Sequence, residues 1–228
     1  INILPAKDDN IHIQYEENDE YPINVTNDST SLQLKRATKS LQFNLFDFDR
    51  ELSIPITIEL PKAFHGSLEI DTSHGNVTVQ DTVYQNITIN NDHGNVSLSK
   101  LKAEAVTLDV AYGSVVLADV NSRQALQLNS EHGDIISKNL KADSAVLTTA
   151  YSDITLDETE ITKDISLYHE HAPVNLGKLK AQALQIESAY GDIRSTGLTI
   201  TENADFSLER SDLTLQTLSA KEMNMESA

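Results

Sequence analysis

From residue 68 onward the apolar side chains fall into short alternating runs that recur at a fixed interval. One set reads Leu68/Ile70, Ile87/Ile89, Val106/Leu108, Leu126/Leu128, Val146 with Leu147, Ile165/Leu167, Leu184/Ile186 and Phe206/Leu208. A second follows a few residues later: Val77/Val79, Val96/Leu98, Val115/Leu117, Ile154/Leu156, Val174/Leu176 and Leu213/Leu215, with Ile135 and Ile193 less fully accompanied. A single third position completes most copies, at Leu101, Val120, Leu140, Leu179, Leu198 and Leu218. A period of two over four to six residues, rich in β-branched types, predicts short strands with one face buried.

Between the first two sets stands a tetrapeptide marker, written His/Tyr-Gly-Asn/Asp-Val/Ile. It appears as HGNV (74–77), HGNV (93–96), YGSV (112–115), HGDI (132–135), YSDI (151–154), HAPV (171–174), YGDI (190–193) and RSDL (210–213). Its second residues are separated by 19, 19, 20, 19, 20, 19 and 20 positions. A unit that short, with about five apolar side chains, cannot bury its own face. Stacked copies can, each strand lying beside its equivalent in the next copy at ~4.8 Å. The sequence therefore predicts an all-β fold, a parallel β-solenoid wound right-handed, with rungs of 19–20 residues. An all-β sandwich also recurs in short strands, but it does not demand the same side chain at the same phase eight times. Ser152, Ala172 and Ser211 at the glycine position define a small residue at a tight corner rather than an obligatory left-handed one. Pro173, without an N–H, is expected outside the sheet ladder.

Residues 1–65 lack the marker. The stretches 10–19, 21–28, 31–46 and 52–60 alternate as longer strands, and we expect them to form a non-repeating β-cap over the first rung. Residues 66–228 make the solenoid, about eight rungs, in one continuous domain with the cap. Met223 and Met225 stand at the phase of a ninth first strand, which either covers the last rung or is cut mid-repeat. The first residue is Ile1, so the chain is expected to be a mature product or an excised fragment.

Charge narrows the partners. With 35 acidic and 17 basic residues among 228, the formal net charge is −18. Such a surface repels phosphate backbones and anionic headgroups and favours cations or cationic peptides, although acidity also serves solubility. There is no cysteine, hence no disulfide framework and no thiolate ligand. No run approaches the ~18 apolar residues of a membrane-spanning helix. Nucleophile-elbow, zinc-protease, P-loop and dinucleotide fingerprints are missing, so no catalytic residue and no cofactor is expected.

The segment ITIELPK (56–62), followed by SLEIDTSHGNVTV (67–79) and then repeated Ser-x-x-Gly-Asp/Asn-Val/Ile units, resembles a bacterial adhesin-type family of repeat β-proteins that includes the LiaG-type and LiaX-type cell-envelope stress proteins. The resemblance runs from about Ile11 to Leu218 and departs from regularity at HAPV, YSDI and RSDL. It implies a location in the bacterial cell envelope or at the cell surface, no established catalytic centre, and for some members a part in sensing antimicrobial peptides.

One feature remains as a candidate for chemistry. The two residues before the marker's second position run Ser73-His74, Asp92-His93, Ala111-Tyr112, Glu131-His132, Ala150-Tyr151, Glu170-His171, Ala189-Tyr190 and Glu209-Arg210. From the second copy on, an acid followed by His or Arg alternates with Ala-Tyr, so the full sequence period is two rungs. One reading is a side-chain ladder that stiffens an edge. The other is a ligand-binding edge made of Tyr112, Tyr151, Tyr190, His93, His132, His171, Glu131, Glu170 and Glu209, suited to cationic peptides or cell-wall glycans. Another envelope protein is a further candidate partner. For a metal, only His74 with His93 and His169 with His171 come close enough in sequence geometry, and neither pair has a third ligand, so no metal is expected. The function expected is a non-catalytic binding, sensing or adhesion module. The alternatives are a β-helix polysaccharide lyase or hydrolase and a purely structural stalk.

Overall fold

The computed structural model describes residues 1–16, 22–27, 31–36 and 55–228. Among these residues there are strands and turns but no helix, and the strands stack as about eight parallel coils of a β-solenoid. Each rung pairs in register with the next. Leu108 lies between Ile89 and Leu128, Val115 between Val96 and Ile135, and Val120 between Leu101 and Leu140. The same columns continue through Leu167, Ile186 and Phe206 to Met225.

The core is the sum of the inward columns. Ile89, Leu98, Leu108, Leu126, Leu128, Ile135 and Leu147 are fully buried, while Asp109, Gln127 and Asn129 on the same strands are exposed. The expected period of two is thus in phase, with one correction. In the fifth copy Ala145 and Leu147 face inward and Val146 faces out, 37% exposed. The run Ala145-Val146-Leu147 has two apolar ways of alternating, and the register with Leu126 and Leu128 selects the one that keeps the large Leu147 in its column.

Where the apolar pattern is incomplete, small polar residues stand in. Ser137 and Ser195 occupy the places after Ile135 and Ile193, and Thr159 fills the third station of the fifth copy; all three are buried with hydroxyls that lack a hydrogen-bond partner. They are small enough for the column to close over them, at the cost of an unpaired polar group.

The marker corner is tight because rungs approach closely there. At Gly94 and Gly133, with φ of +133° and +117°, an added Cβ would run into the carbonyl oxygen of Gly75 and of Gly113 on the preceding rung. In the later rungs the left-handed position moves back one residue, to His171, Tyr190 and Arg210 at φ 59°, 61° and 49°, which allows Ala172 and Ser211 to follow. Pro173 lies outside the strands, and its carbonyl accepts from Ile154 N at 3.0 Å. A second corner, unmarked by glycine, takes φ near +50° at Asp81, Lys100, Asp119, Asn139 and Glu158.

The strands at the N-terminal end are short: Asn2–Pro5, His12–Tyr15, Ile23–Asn27, Leu32–Arg36 and Ile56–Leu60. The expected extensions through residues 17–21, 28–30 and 37–54 lie outside the described residues. Asn2–Pro5 continues a solenoid column without the marker, with Asn2 beside Thr78 and Ile3 beside Val79. Ile56–Leu60 stacks parallel on it, and His12–Tyr15 closes that column antiparallel. Ile3 is fully buried as a result. Near the same end Tyr84 is buried edge-on to Phe64, ring centroids 6.0 Å apart, and burial pushes its phenol up to about 12. At the far end Glu222–Ser227 pairs in parallel register with Asn203–Glu209, Met223 beside Ala204 and Met225 beside Phe206.

The shared core sets an expectation for substitution. Leu128→Asp should cost about 3–5 kcal/mol, because its carboxylate would be buried without a partner between Leu108 and Leu147. Gln127→Asp, one residue away and exposed, should stay within about 0.5 kcal/mol. Urea unfolding of the two variants checks the phase of the whole repeat: equal effects would mean that the faces are misassigned.

Candidate functional site

The residues before the marker corner leave the strand pointing outward, so each rung projects one planar group at the same place. His74, His93, Tyr112, His132, Tyr151, His171 and Tyr190 form one continuous stack. Their ring centroids are 4.8–5.0 Å apart and adjacent planes lie within 4–19° of parallel. Arg210 ends it, its guanidinium carbon 5.3 Å from the Tyr190 ring centroid and Nη1 3.3 Å from Tyr190 Oη. The separations equal the rung spacing, so the backbone ladder dictates the stacking.

This geometry decides what the rings can offer. Tyr112, Tyr151 and Tyr190 are 47%, 54% and 45% exposed, yet each has a ring or guanidinium against both faces. What meets solvent is the ring edge with its hydroxyl or imidazole nitrogen. An open aromatic platform for a sugar ring or an incoming cation is absent at these three tyrosines.

Carboxylates accompany the stack in a pattern wider than the sequence pairs suggested. Immediately before each ladder residue the acids Asp92, Glu131, Glu170 and Glu209 alternate with Ala111, Ala150 and Ala189, and Glu170 pairs with Ala189 as Ala189 does with Glu209. Two residues further back, on the same outer face, runs the column Asp71, Asn90, Asp109, Asn129, Thr148, Tyr168, Glu187, Ser207 and Glu226. Its acids occupy the rungs on which the first column has Ser or Ala, with Thr148 the one exception. The face is a checkerboard in which no two acids are direct neighbours in a column, and this removes the repulsion that opposed like charges suffer at ~5 Å. Asn90 donates to Asp71 at 2.5 Å, using the neutral square to bind the charged one. Asp71, Asp109, Glu187 and Glu226 were missed in the sequence reading, although the signal is present: it appears when the repeats are aligned and read three residues before the ring.

Some acids at another corner of the solenoid are compensated. Glu104 meets Arg123 at 2.8 Å, Asp143 meets Lys163 at 2.6 Å, and Glu160 lies between Lys141 at 2.8 Å and Lys180 at 3.8 Å. Lys141 holds the Glu160 carboxyl below its ordinary range, and Asp143 raises the Lys163 ammonium. Among the described residues none of the checkerboard acids has an ion-pair partner.

The two histidine pairs take up different arrangements. His74 and His93 stack face to face at 4.8 Å and 7°. His169 and His171 separate: His171 joins the ladder, whereas His169 is buried in the corner. Its Nδ1 lies 2.8 Å from Thr149 Oγ1, and Nε2 contacts the Ala172 backbone. It belongs to the inward column Asn91, Val110, Ser130, Thr149, His169, Ser188 and Leu208, two of whose polar members tie corner carbonyls. Asn91 Nδ2 donates to Gly94 O at 2.9 Å and Ser188 Oγ to Gly191 O at 2.9 Å. No group of three ligating side chains occurs among the described residues.

Compared with known proteins, the chain matches the Toastrack DUF4097 family over residues 1–176. No curated protein and no solved structure shows significant similarity to it.

Two outcomes follow from this geometry. Tyr151→Ala removes stacking on His132 and His171 together and should cost about 1–3 kcal/mol at two pairs of 0.5–1.5 each, read as a lowered Tm with β-sheet circular dichroism retained. His169 gives a pH test. Burial lowers its pKa, against the opposing contact with Ala172. The unfolded chain therefore binds the proton that the folded chain refuses. The stability contributed by the neutral ring is present above the ordinary histidine value of ~6.5 and is lost as pH falls from there through the lowered folded value. Unfolding free energy measured between pH 7.5 and 5 should fall more steeply for the wild type than for His169→Ser, which takes the side chain of Ser130 and Ser188 in the same column. Parallel curves would remove His169 as the source.

Proposed function

We propose that this chain, which belongs to the Toastrack family of β-solenoids, is a non-catalytic binding module of the bacterial cell envelope or cell surface that takes cationic ligands along the edge of the ring ladder. The observation that carries this reading is the run of unpaired carboxylates repeated rung after rung beside the ladder. Glu104, Asp143 and Glu160 at another corner are matched by Lys or Arg on neighbouring rungs, and the checkerboard acids beside the ladder have no such partner among the described residues. Unpaired carboxylates repeated along one strip give a polycation a continuous attractive track. The ladder's first role is structural, holding the strip straight and the carboxylates at fixed intervals.

The similarity to envelope-stress proteins supports antimicrobial cationic peptides as the ligand class, and sensing or adhesion as the outcome of binding. A β-solenoid also lends itself to this use without catalysis, because the same groups return every second rung and none is singled out for a reaction.

Since the ring faces are covered, ionic contacts should dominate. A lysine-rich peptide titrated onto the chain should bind at 10 mM salt and lose about tenfold or more of its affinity by 150 mM, as the screening length shrinks from ~30 to ~8 Å. Neutral cell-wall glycan fragments should bind weakly at both. Salt-independent binding of the glycan, with none of the peptide, would sink the proposal.

A further inference from the structure

The ring ladder leaves one repeated motif unexplained, and its residues are lysines. They stand in KLK (100–102), KNLK (138–141) and KLK (178–180), on every second rung. Pairing between rungs sets Lys102, Asn121, Lys141, Glu160, Lys180 and Thr199 in one column along a second corner of the solenoid. The three lysines of this column are exposed, and each follows an acid of the ladder edge by ten residues, Asp92, Glu131 and Glu170 in turn. Glu160 is the one acid among them. It meets Lys141 at 2.8 Å and Lys180 at 3.8 Å, which leaves the column with an excess of positive charge. Lys102 and the neighbouring Lys100, Lys138 and Lys178 have no ion-pair partner among the described residues.

The same molecule therefore carries two strips of opposite sign with one period. The rings beside the acids advance 4.9–5.0 Å per rung, so both strips repeat at about 10 Å, every two rungs. A second copy of this chain matches that repeat by construction, and no drift accumulates along the contact. Charge also fixes the register. When Lys102, Lys141 and Lys180 of one copy face Glu131, Glu170 and Glu209 of another, Asp119 and Glu160 on the intervening rungs fall opposite Ala150 and Ala189. A slip of one rung would set those two acids against glutamates and cost the contact its lysines. Because the two strips occupy different corners, the contact is heterologous: each copy offers its acidic edge to one neighbour and its lysine corner to the next, and the series stays open unless it curves into a ring.

We infer that the partner of the ladder edge is the lysine corner of a second copy of this chain, the solenoids lying side by side. This names the partner for the cation-binding role proposed above, on which it rests. The test uses two complementary variants, both checked by circular dichroism. Lys102→Gln/Lys141→Gln/Lys180→Gln keeps only the acidic edge, and Asp92→Asn/Glu131→Gln/Glu170→Gln/Glu209→Gln keeps only the lysine corner. Sedimentation is followed at 150 mM salt, where the repulsion between chains of net charge −18 is screened beyond ~8 Å. The apparent mass of the intact chain should climb with concentration past that of a dimer. Each variant alone should stay monomeric, and an equal mixture of the two should form a dimer and stop there, since each partner has lost the strip needed to continue. An intact chain that is monomeric up to about 1 mM would overturn the self-association. A lysine-rich peptide titrated onto that chain then separates the two readings: binding would leave the cationic edge standing without the second copy, and no binding would remove both. Self-association of either variant, or a mixture that stays monomeric while the intact chain associates, would overturn the pairing of these two strips.

Discussion

The structure depends on one distance, the ~4.8 Å between hydrogen-bonded parallel strands. Once the backbone of each rung pairs with the next, every residue at a given phase stands directly above its counterpart. An apolar residue then creates an apolar column, a ring creates a stack, and a charge meets a like charge unless the sequence alternates. The core, the ladder and the checkerboard are three answers to that single constraint. The corner glycines are a fourth, since Gly133 lies so close to Gly113 below it that a side chain would strike backbone.

The constraint also explains why packing and polar chemistry divide the rung between them. Inward columns tolerate Ser137 and Ser195 because a small side chain leaves the neighbouring leucines in place. At two corners a buried polar side chain ties a carbonyl, Asn91 that of Gly94 and Ser188 that of Gly191, while Val110 in the same column offers no donor. His169 is the largest polar member of that column and the only titratable one, which is why burial and a backbone contact act on it in opposite directions.

Much of this was legible in the sequence, and the exceptions have physical causes. Leu108 and Leu128 declared their direction through alternation, and the eight markers fixed the rung length. Val146 misled because Ala145 and Leu147 flank it with apolar side chains, so alternation alone could not choose the face. Asn2–Pro5 carries no marker, and its place in a solenoid column is set by pairing with Thr78 and Val79, which no local pattern announces. The ring ladder was visible as an alternation of residue types. Its consequence, that the ring faces cover one another, required the rung spacing, the common orientation and the short separations seen between Tyr151 and its two neighbours. The second acidic column was overlooked because Asp71, Asp109, Glu187 and Glu226 look like ordinary solvated strand residues until the register sets them against Asp92, Glu131, Glu170 and Glu209.

The checkerboard bears on how such a chain can change length. Removing a single rung between Glu131 and Glu170 would keep every inward column intact and leave the core satisfied. The same deletion would break the alternation, bringing the Glu131-His132 and Glu170-His171 pairs into direct succession and setting equal charges face to face. Loss or gain of two rungs together, 39 residues, leaves all columns in step. The core counts in single coils, the surface counts in pairs, and the surface therefore sets the unit by which this solenoid can be duplicated or trimmed.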